Sequence, residues 1–288
     1  MATARDLLGL TKPRVMPLLL VVALATMWLA TSAPRPWTII VVTLVGGTLA
    51  VAGAQALNAF IDRDIDRKME RTRQRPLAAR RLLPRTALIF GISLAAAAFG
   101  LMLLAVNTMS ALLTLGAVGF YVLVYSRLLK LRTAQNIVIG GVAGAAPALI
   151  GWAAVTNELS ATSLLLFTIV FLWTPPHFWA LALVLREDYE HAGVPMLPVM
   201  QGQQATARQI LGYTLVLIPA TLWLIPVASL GWVYTVAAIV LGGILIALEL
   251  RLLRNMSIAN ARAIFVYSML YLALVFGAMM LDRGLGIG

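Results

Sequence analysis

Cysteine is absent from this 288-residue chain, which excludes disulfide bridges and thiolate metal centres. Charge is scarce as well. Only 11% of the residues are Asp, Glu, Lys or Arg, whereas a soluble domain carries about 25%. Alternation of apolar and polar residues in segments of about 10, the mark of a membrane β-barrel, is missing too. Acid is the rarest charge, with 11 Asp and Glu against 22 Lys and Arg and a net charge of +11. In a soluble protein that excess would point to nucleic acid. Here the positive residues recur in alternate loops instead of gathering in a patch, so no nucleic-acid partner is expected.

What is present is apolar sequence, 61% of the chain, in runs near the roughly 20 residues that cross a bilayer. These runs predict an all-α polytopic membrane protein whose partner is the lipid bilayer, with a single domain over 1–288. Nine spans are marked at 14–32, 37–60, 87–106, 109–128, 136–156, 161–182, 209–228, 232–250 and 263–281. Turn signals separate them, as in "APRP" at 33–36, "NTMS" at 107–110 and "SLG" at 229–231. The first apolar stretch superficially resembles a signal peptide. It is long enough to span and is followed by further spans, so it is expected to stay as the first helix.

Of the 22 Lys and Arg, all but Arg35 and Arg283 fall on the side that holds the N-terminus. The positive-inside rule then predicts a cytoplasmic N-terminus, an external C-terminus and a multi-pass protein of the cytoplasmic membrane. The acids share that asymmetry, although the rule does not require it; only Glu158 and Asp282 fall on the other side. Most of the rest lie in two long loops, about 61–86 and 183–208, where chemistry is expected.

The first of these loops opens with "NAFIDRDID" at 58–66. If the second span stays helical through residue 66, each step of four residues advances by about 40° and 6 Å. Asn58, Asp62 and Asp66 then share one face, and Asp64 points elsewhere. Two carboxylates and an amide oxygen at that spacing suit Mg2+, which takes one or two carboxylates plus substrate phosphate oxygens. Arg67, Lys68, Arg71, Arg73 and Arg75 follow directly, and guanidinium groups grip phosphate in pairs of hydrogen bonds. Together they suggest a diphosphate head group whose tail lies in the bilayer. Topology alone also accounts for the arginines, and by spacing alone the carboxylates equally suit their neutralisation.

The pattern N-x-x-x-D-x-x-x-D resembles the UbiA-type intramembrane prenyltransferases, a nine-helix family. "DRDIDRKMERTRQRPL" at 62–77, "YSRLLKLRTAQNIVIGGVAGAAPALIGW" at 125–152, "TPPHFWALAL" at 174–183 and "DYEHAGVPMLPV" at 188–199 narrow the resemblance to the haem O synthases, and "LTKPRV" at 10–15 agrees. The resemblance implies Mg2+-dependent transfer of farnesyl from farnesyl diphosphate to a vinyl group of haem b, making haem O and diphosphate. It also implies a haem A synthase or oxidase-assembly partner downstream. The competing readings are a family member that prenylates an aromatic quinone precursor, and a membrane transporter. Transport sites lie near the bilayer midplane, whereas these acids gather at one face.

Carried over residue by residue, the resemblance assigns Asn58, Asp62 and Asp66 to metal and diphosphate, with Asp188 from the second acidic motif. That motif departs from the wider family, because Ala192 stands where a further aspartate is common; Glu187 and Glu190 are the alternatives. Arg71, Arg75, Lys130 and Arg132 are expected to clamp diphosphate, and Tyr125 and Asn136 to complete the pocket, although Tyr125 also suits a place in the interfacial belt. His177, set inside the sixth span, is an expected haem contact, since an ionisable residue at such depth is functional by default. Alternatively it satisfies carbonyls freed by Pro175 and Pro176. His191 is expected to be solvated.

Overall fold

The computed structural model describes residues 3–31 and 35–286, and among these all regular structure is helical. A short helix α1 (Ala4–Thr11) is capped by the Thr3 hydroxyl, which accepts from the Asp6 N–H. Lys12 takes a left-handed backbone (φ 48°, ψ 61°) that ends α1. One tight turn over Pro13–Val15 leads into α2 (Met16–Ala30). Then come α3 (Trp37–Lys68), α4 (Pro84–Ala105) and α5 (Thr108–Gly119), the last continuing as wider π-helical turns over Phe120–Leu129. After α6 (Asn136–Thr156) and α7 (Ala161–Val184), two short helices follow, α8 (Arg186–His191) and α9 (Leu197–Met200). Three long ones complete the chain: α10 (Gln203–Ala228), α11 (Trp232–Arg254) and α12 (Ile258–Leu285).

Among the described residues, nine helical segments are long and apolar enough to cross a membrane, one for each expected span, and the chain is a multi-pass integral membrane protein. Several helices overrun the apolar stretches that announced them. α3 reaches Lys68 where the lipid-like sequence stops near 60, α10 starts at Gln203 instead of 209, and α12 at Ile258 instead of 263. Hydropathy marks only the part in lipid, whereas a helix continues into water until a cap ends it; Ser257 caps α12 by accepting from the Asn260 N–H. Residues 33 and 34 of the expected "APRP" turn, and residue 32 at the end of the first expected span, lie outside the described residues.

The long helices pack in a ring in chain order, from α2 through α3, α4, α5, α6, α7, α10 and α11 to α12, which closes back on α2. Contacts of α2 with α6 and of α7 with α12 cross its middle. Lipid is as apolar as a helix surface, so helix pairs in a membrane are held by close packing of small residues. The α3–α4 seam is built that way. A Cβ on Gly53 would stand 2.9 Å from the Ala95 amide nitrogen and the Gly91 carbonyl oxygen. At the other pole of the ring, the Asp282 carboxylate of α12 accepts from the Gly231 and Tyr234 N–H groups at 2.7 and 3.0 Å. It caps the positive end of α11, which gives one of the two isolated acids a structural role.

Candidate active site

Because α3 runs unbroken past residue 66, its 3.6-residue period gathers Gln55, Asn58, Asp62 and Asp66 on one buried face. Asp64 lies outside that face. Its side chain is 65% exposed and pairs with Arg67 at 3.0 Å and, more loosely, Arg63 at 3.8 Å.

Three cations converge on the buried face, each from a different segment. Lys130 donates to Asp62 Oδ2 at 2.5 Å. Arg75 reaches both Asp66 oxygens through Nη1, at 2.8 and 2.9 Å. Lys12 donates to Asn58 Oδ1 at 2.8 Å. The Asn58 amide ties the set together by donating to Asp62 Oδ2 at 2.8 Å and to Ser126 Oγ at 3.0 Å. Asp62 Oδ1 is buried and accepts no hydrogen bond among the described residues. A buried, unsatisfied carboxylate oxygen is costly and calls for a ligand.

Local structure aims each cation. The left-handed turn at Lys12 ends α1 beside α3. Arg75 sits in a loop pinned to the end of α3 by Thr72, whose hydroxyl donates to the Asp66 carbonyl at 3.0 Å. The wide turns before Lys130 bond its N–H to the Tyr125 carbonyl at 3.0 Å, a five-residue step, and Ser126 Oγ donates to the Tyr121 carbonyl at 2.9 Å. The extra residue per turn redirects Ser126 and Lys130 toward α3. Tyr121 and Tyr125 stack with ring centroids 5.4 Å apart. The Tyr125 ring lies over Gly140, where any Cβ would collide with it. Asn136 holds the loop after Lys130 by donating to the Thr133 carbonyl at 2.7 Å, and its own Oδ1 is buried without a partner among the described residues.

The second acidic loop closes onto the first. Asp188 accepts from the backbone N–H groups of Glu70 and Arg71 at 3.3 and 3.4 Å, so it orders the arginine loop. Beside it Tyr189 is buried, and burial pushes its phenol above the usual value although Arg71 and Arg75 pull the other way. Among the described residues no three acidic or histidine side chains form a ready-made metal cluster, so Asp188 is not gathered with Asp62 and Asp66. Arg71 and Arg132 are exposed, as are Glu187, Glu190 and His191, and Glu190 lies 3.9 Å from Arg186.

His177 is placed apart from this network. Its Nδ1 meets Ser268 Oγ of α12 at 2.8 Å, and its ring stacks on Trp173 and Phe265 with centroids 4.4 and 4.7 Å away. Sequence reasoning placed no role on Lys12, Gln55, Ser126 or Tyr121. Gln55 was within reach, standing one turn before Asn58 on the same face. Lys12 carried a fainter signal, a lysine immediately before a proline at the start of the first span.

The UbiA prenyltransferase family model matches residues 19–276. A protein named Protoheme IX farnesyltransferase from Gloeobacter violaceus is 50% identical over 98% of this chain and 92% of its own length. One of the same name from Symbiobacterium thermophilum is 50% identical over 96% and 94%. Among solved structures, a digeranylgeranylglyceryl phosphate synthase superposes with a TM-score of 0.80 at 15% identity, covering 97% of this chain and 98% of that one. A UbiA homolog from Archaeoglobus fulgidus, bound to DMAPP and Mg2+, gives 0.67 at 18% identity over 95% and 99%. At those identities the structures show a shared fold.

Proposed function

This chain belongs to the UbiA prenyltransferase family, and from that premise we propose that it transfers the farnesyl group of farnesyl diphosphate to a vinyl group of haem b. The observation that carries the proposal is the half-identity, over nearly the whole chain, to proteins named Protoheme IX farnesyltransferase. The buried face of α3 supports it with a site whose chemistry fits.

The residues suit Mg2+. Asp62 Oδ1 is an orphaned buried oxygen, with Asn58 one turn before Asp62 and Asp66 one turn after. Two carboxylates and an amide, with room left for phosphate oxygens, form the donor set that ion favours. Asn58, Asp62 and Asp66 would hold it, with Asp188 supporting from the second loop. When bound, Mg2+ supplies a Lewis acid that offsets charge on the diphosphate oxygens.

The chain's own groups do the rest. Arg71, Arg75, Lys130 and Arg132 steady the diphosphate, and their positive charge stabilises the charge that grows there as the allylic carbon–oxygen bond breaks and its electron pair leaves with the diphosphate. Tyr121 and Tyr125, stacked over α6, wall the adjoining space and shelter the allylic carbon from water. The vinyl π electrons of haem b form the new carbon–carbon bond. Water then adds to the carbon left electron-poor and releases a proton, which gives the hydroxyethylfarnesyl group. His177, held at Nδ1 by Ser268, is the residue that contacts haem. The site lies at the cytoplasmic face of the cytoplasmic membrane, and the haem product feeds a haem A synthase or oxidase-assembly partner.

The test is product analysis in lipid with haem b, farnesyl diphosphate and Mg2+, against an EDTA control. Haem of the hydroxyethylfarnesyl mass, lost with EDTA, is the expected result. Prenylation of an added aromatic acid with haem unchanged would overturn the haem assignment.

A further inference from the structure

Asp62 and Asn58 offer oxygens to a metal, yet all but Asp62 Oδ1 are already engaged by lysines. Lys130 Nζ holds Asp62 Oδ2 at 2.5 Å and Lys12 Nζ holds Asn58 Oδ1 at 2.8 Å. These contacts are interior. Asp62 is 1% and Asn58 3% exposed, and the Lys130 side chain is 13% exposed. Three basic side chains therefore face two carboxylates in one desolvated pocket, which leaves no net negative charge to draw in a metal. A divalent ion entering alone meets repulsion that water screens poorly. A divalent ion entering with diphosphate does not, because the phosphate oxygens offset the cations and accept the lysine N–H groups.

We propose that Lys12 and Lys130 are exchangeable counter-ions. Each holds a metal-binding oxygen of α3, and each transfers its ammonium group to the diphosphate when metal and diphosphate arrive together. No covalent bond is made or broken in the exchange; one ion pair, Lys130 with Asp62, and one hydrogen bond, Lys12 to the Asn58 amide oxygen, are traded for two contacts with the diphosphate. The lysines are positioning residues that weaken the binding of metal alone and favour metal that arrives with diphosphate. By linkage, metal and diphosphate then raise each other's affinity by the same factor, typically 5- to 150-fold for coupling of this kind. The inference rests on the diphosphate reading of the site. The lysine stems permit the movement, since an ammonium on four rotatable carbons is a mobile point charge, unlike a planar guanidinium. Arg75 meets both Asp66 oxygens through Nη1 alone, so the rest of its guanidinium can serve the diphosphate without a comparable exchange.

The test uses the full chain in lipid nanodiscs, with Mn2+ as the metal probe read by electron paramagnetic resonance and inorganic pyrophosphate as the anion probe read by calorimetry. Lys130→Met frees Asp62, so Mn2+ alone is expected to bind about tenfold more tightly than in the native chain, while pyrophosphate binds at least about tenfold more weakly. Lys130→Arg, which keeps the charge, is expected to stay within about threefold of the native chain for Mn2+ alone. If Lys130 merely holds Asp62 in place, Lys130→Met weakens Mn2+ binding or leaves it unchanged, and either result overturns the proposal. Lys12→Met gives a second, independent reading with the same expected signs. Failure of the diphosphate reading looks different: the native chain then binds no pyrophosphate with or without Mn2+. Tight Mn2+ binding to the native chain that pyrophosphate does not improve overturns the exchange alone.

Discussion

At the scale of single residues, the two faces of α3 make opposite predictions. Asp62→Asn and Asp66→Asn each keep the side-chain volume but remove a buried charge that faces a cation. Farnesyl transfer is expected to fall about 10²-fold or more in each, with the protein still inserted and folded. Asp64 pairs only at the exposed surface, where an ion pair contributes about 0–1 kcal/mol, so Asp64→Asn is expected to retain most activity. Equal losses at positions 62 and 64 in a haem-product assay would refute the helical-face assignment. Lys12 gives a sharper case. Its left-handed backbone costs a non-glycine residue about 1–2 kcal/mol, and a hydrogen bond from a charged donor contributes about 1.5–3 kcal/mol. The two nearly cancel in Lys12→Gly, so its thermal midpoint is expected to stay within about 4 °C of the native value. Prenyl transfer is nonetheless expected to fall at least tenfold or so, because a substrate-facing cation has gone. A fall of both together would make Lys12 a structural residue only.

Elements carry the next set of consequences, because the site is only as well placed as the helices that hold it. Gly53 lies less than two turns before Asn58, where the α3 and α4 backbones come close. Its absent side chain leaves no room against the Ala95 and Gly91 backbone, and backbone cannot rotate aside as a side chain can. Gly53→Val is expected to cost about 1–3 kcal/mol by overpacking and to shift Asn58 and Asp62 against Lys130. Thermal unfolding in detergent and a kcat measured below that transition would separate the two effects. A normal kcat with lowered stability would show that the seam is not coupled to the site. The α3 register was legible in sequence because an α-helix has one rigid period, and Asn58, Asp62 and Asp66 obey it. The π-helical turns before Lys130 were not. A 100° step carried through Phe120–Leu129 misplaces every residue after the widening, and Ser126 and Lys130 owe their direction to it.

Across the whole molecule, what the sequence concealed was pairing between distant segments. Lys12 meets Asn58 across 46 positions and Ser126 meets it across 68, and periodicity within one helix says nothing about either. Charge, by contrast, is legible over any distance because the bilayer sorts it, and it predicts which side of the membrane holds the site. The two acidic loops lie at one end of the bundle, tied by Asp188 to the Glu70 and Arg71 amides. Glu158, exposed in the turn between α6 and α7, lies at the opposite end, the length of a 21-residue helix away, or about 30 Å. A diphosphate cannot cross lipid, so the site must open to the compartment that supplies it, and from the distribution of Lys and Arg that compartment is expected to be the cytoplasm. The lack of native cysteine makes this directly measurable. Arg73→Cys, Glu187→Cys and Glu158→Cys, made singly at exposed positions, would each carry the only thiol in the chain. With a membrane-impermeant maleimide on intact cells, Glu158→Cys is expected to label, and Arg73→Cys and Glu187→Cys only after the membrane is opened. The reverse pattern would put the diphosphate site outside the cell, and labelling of Arg73→Cys without Glu187→Cys would separate the two loops that Asp188 joins.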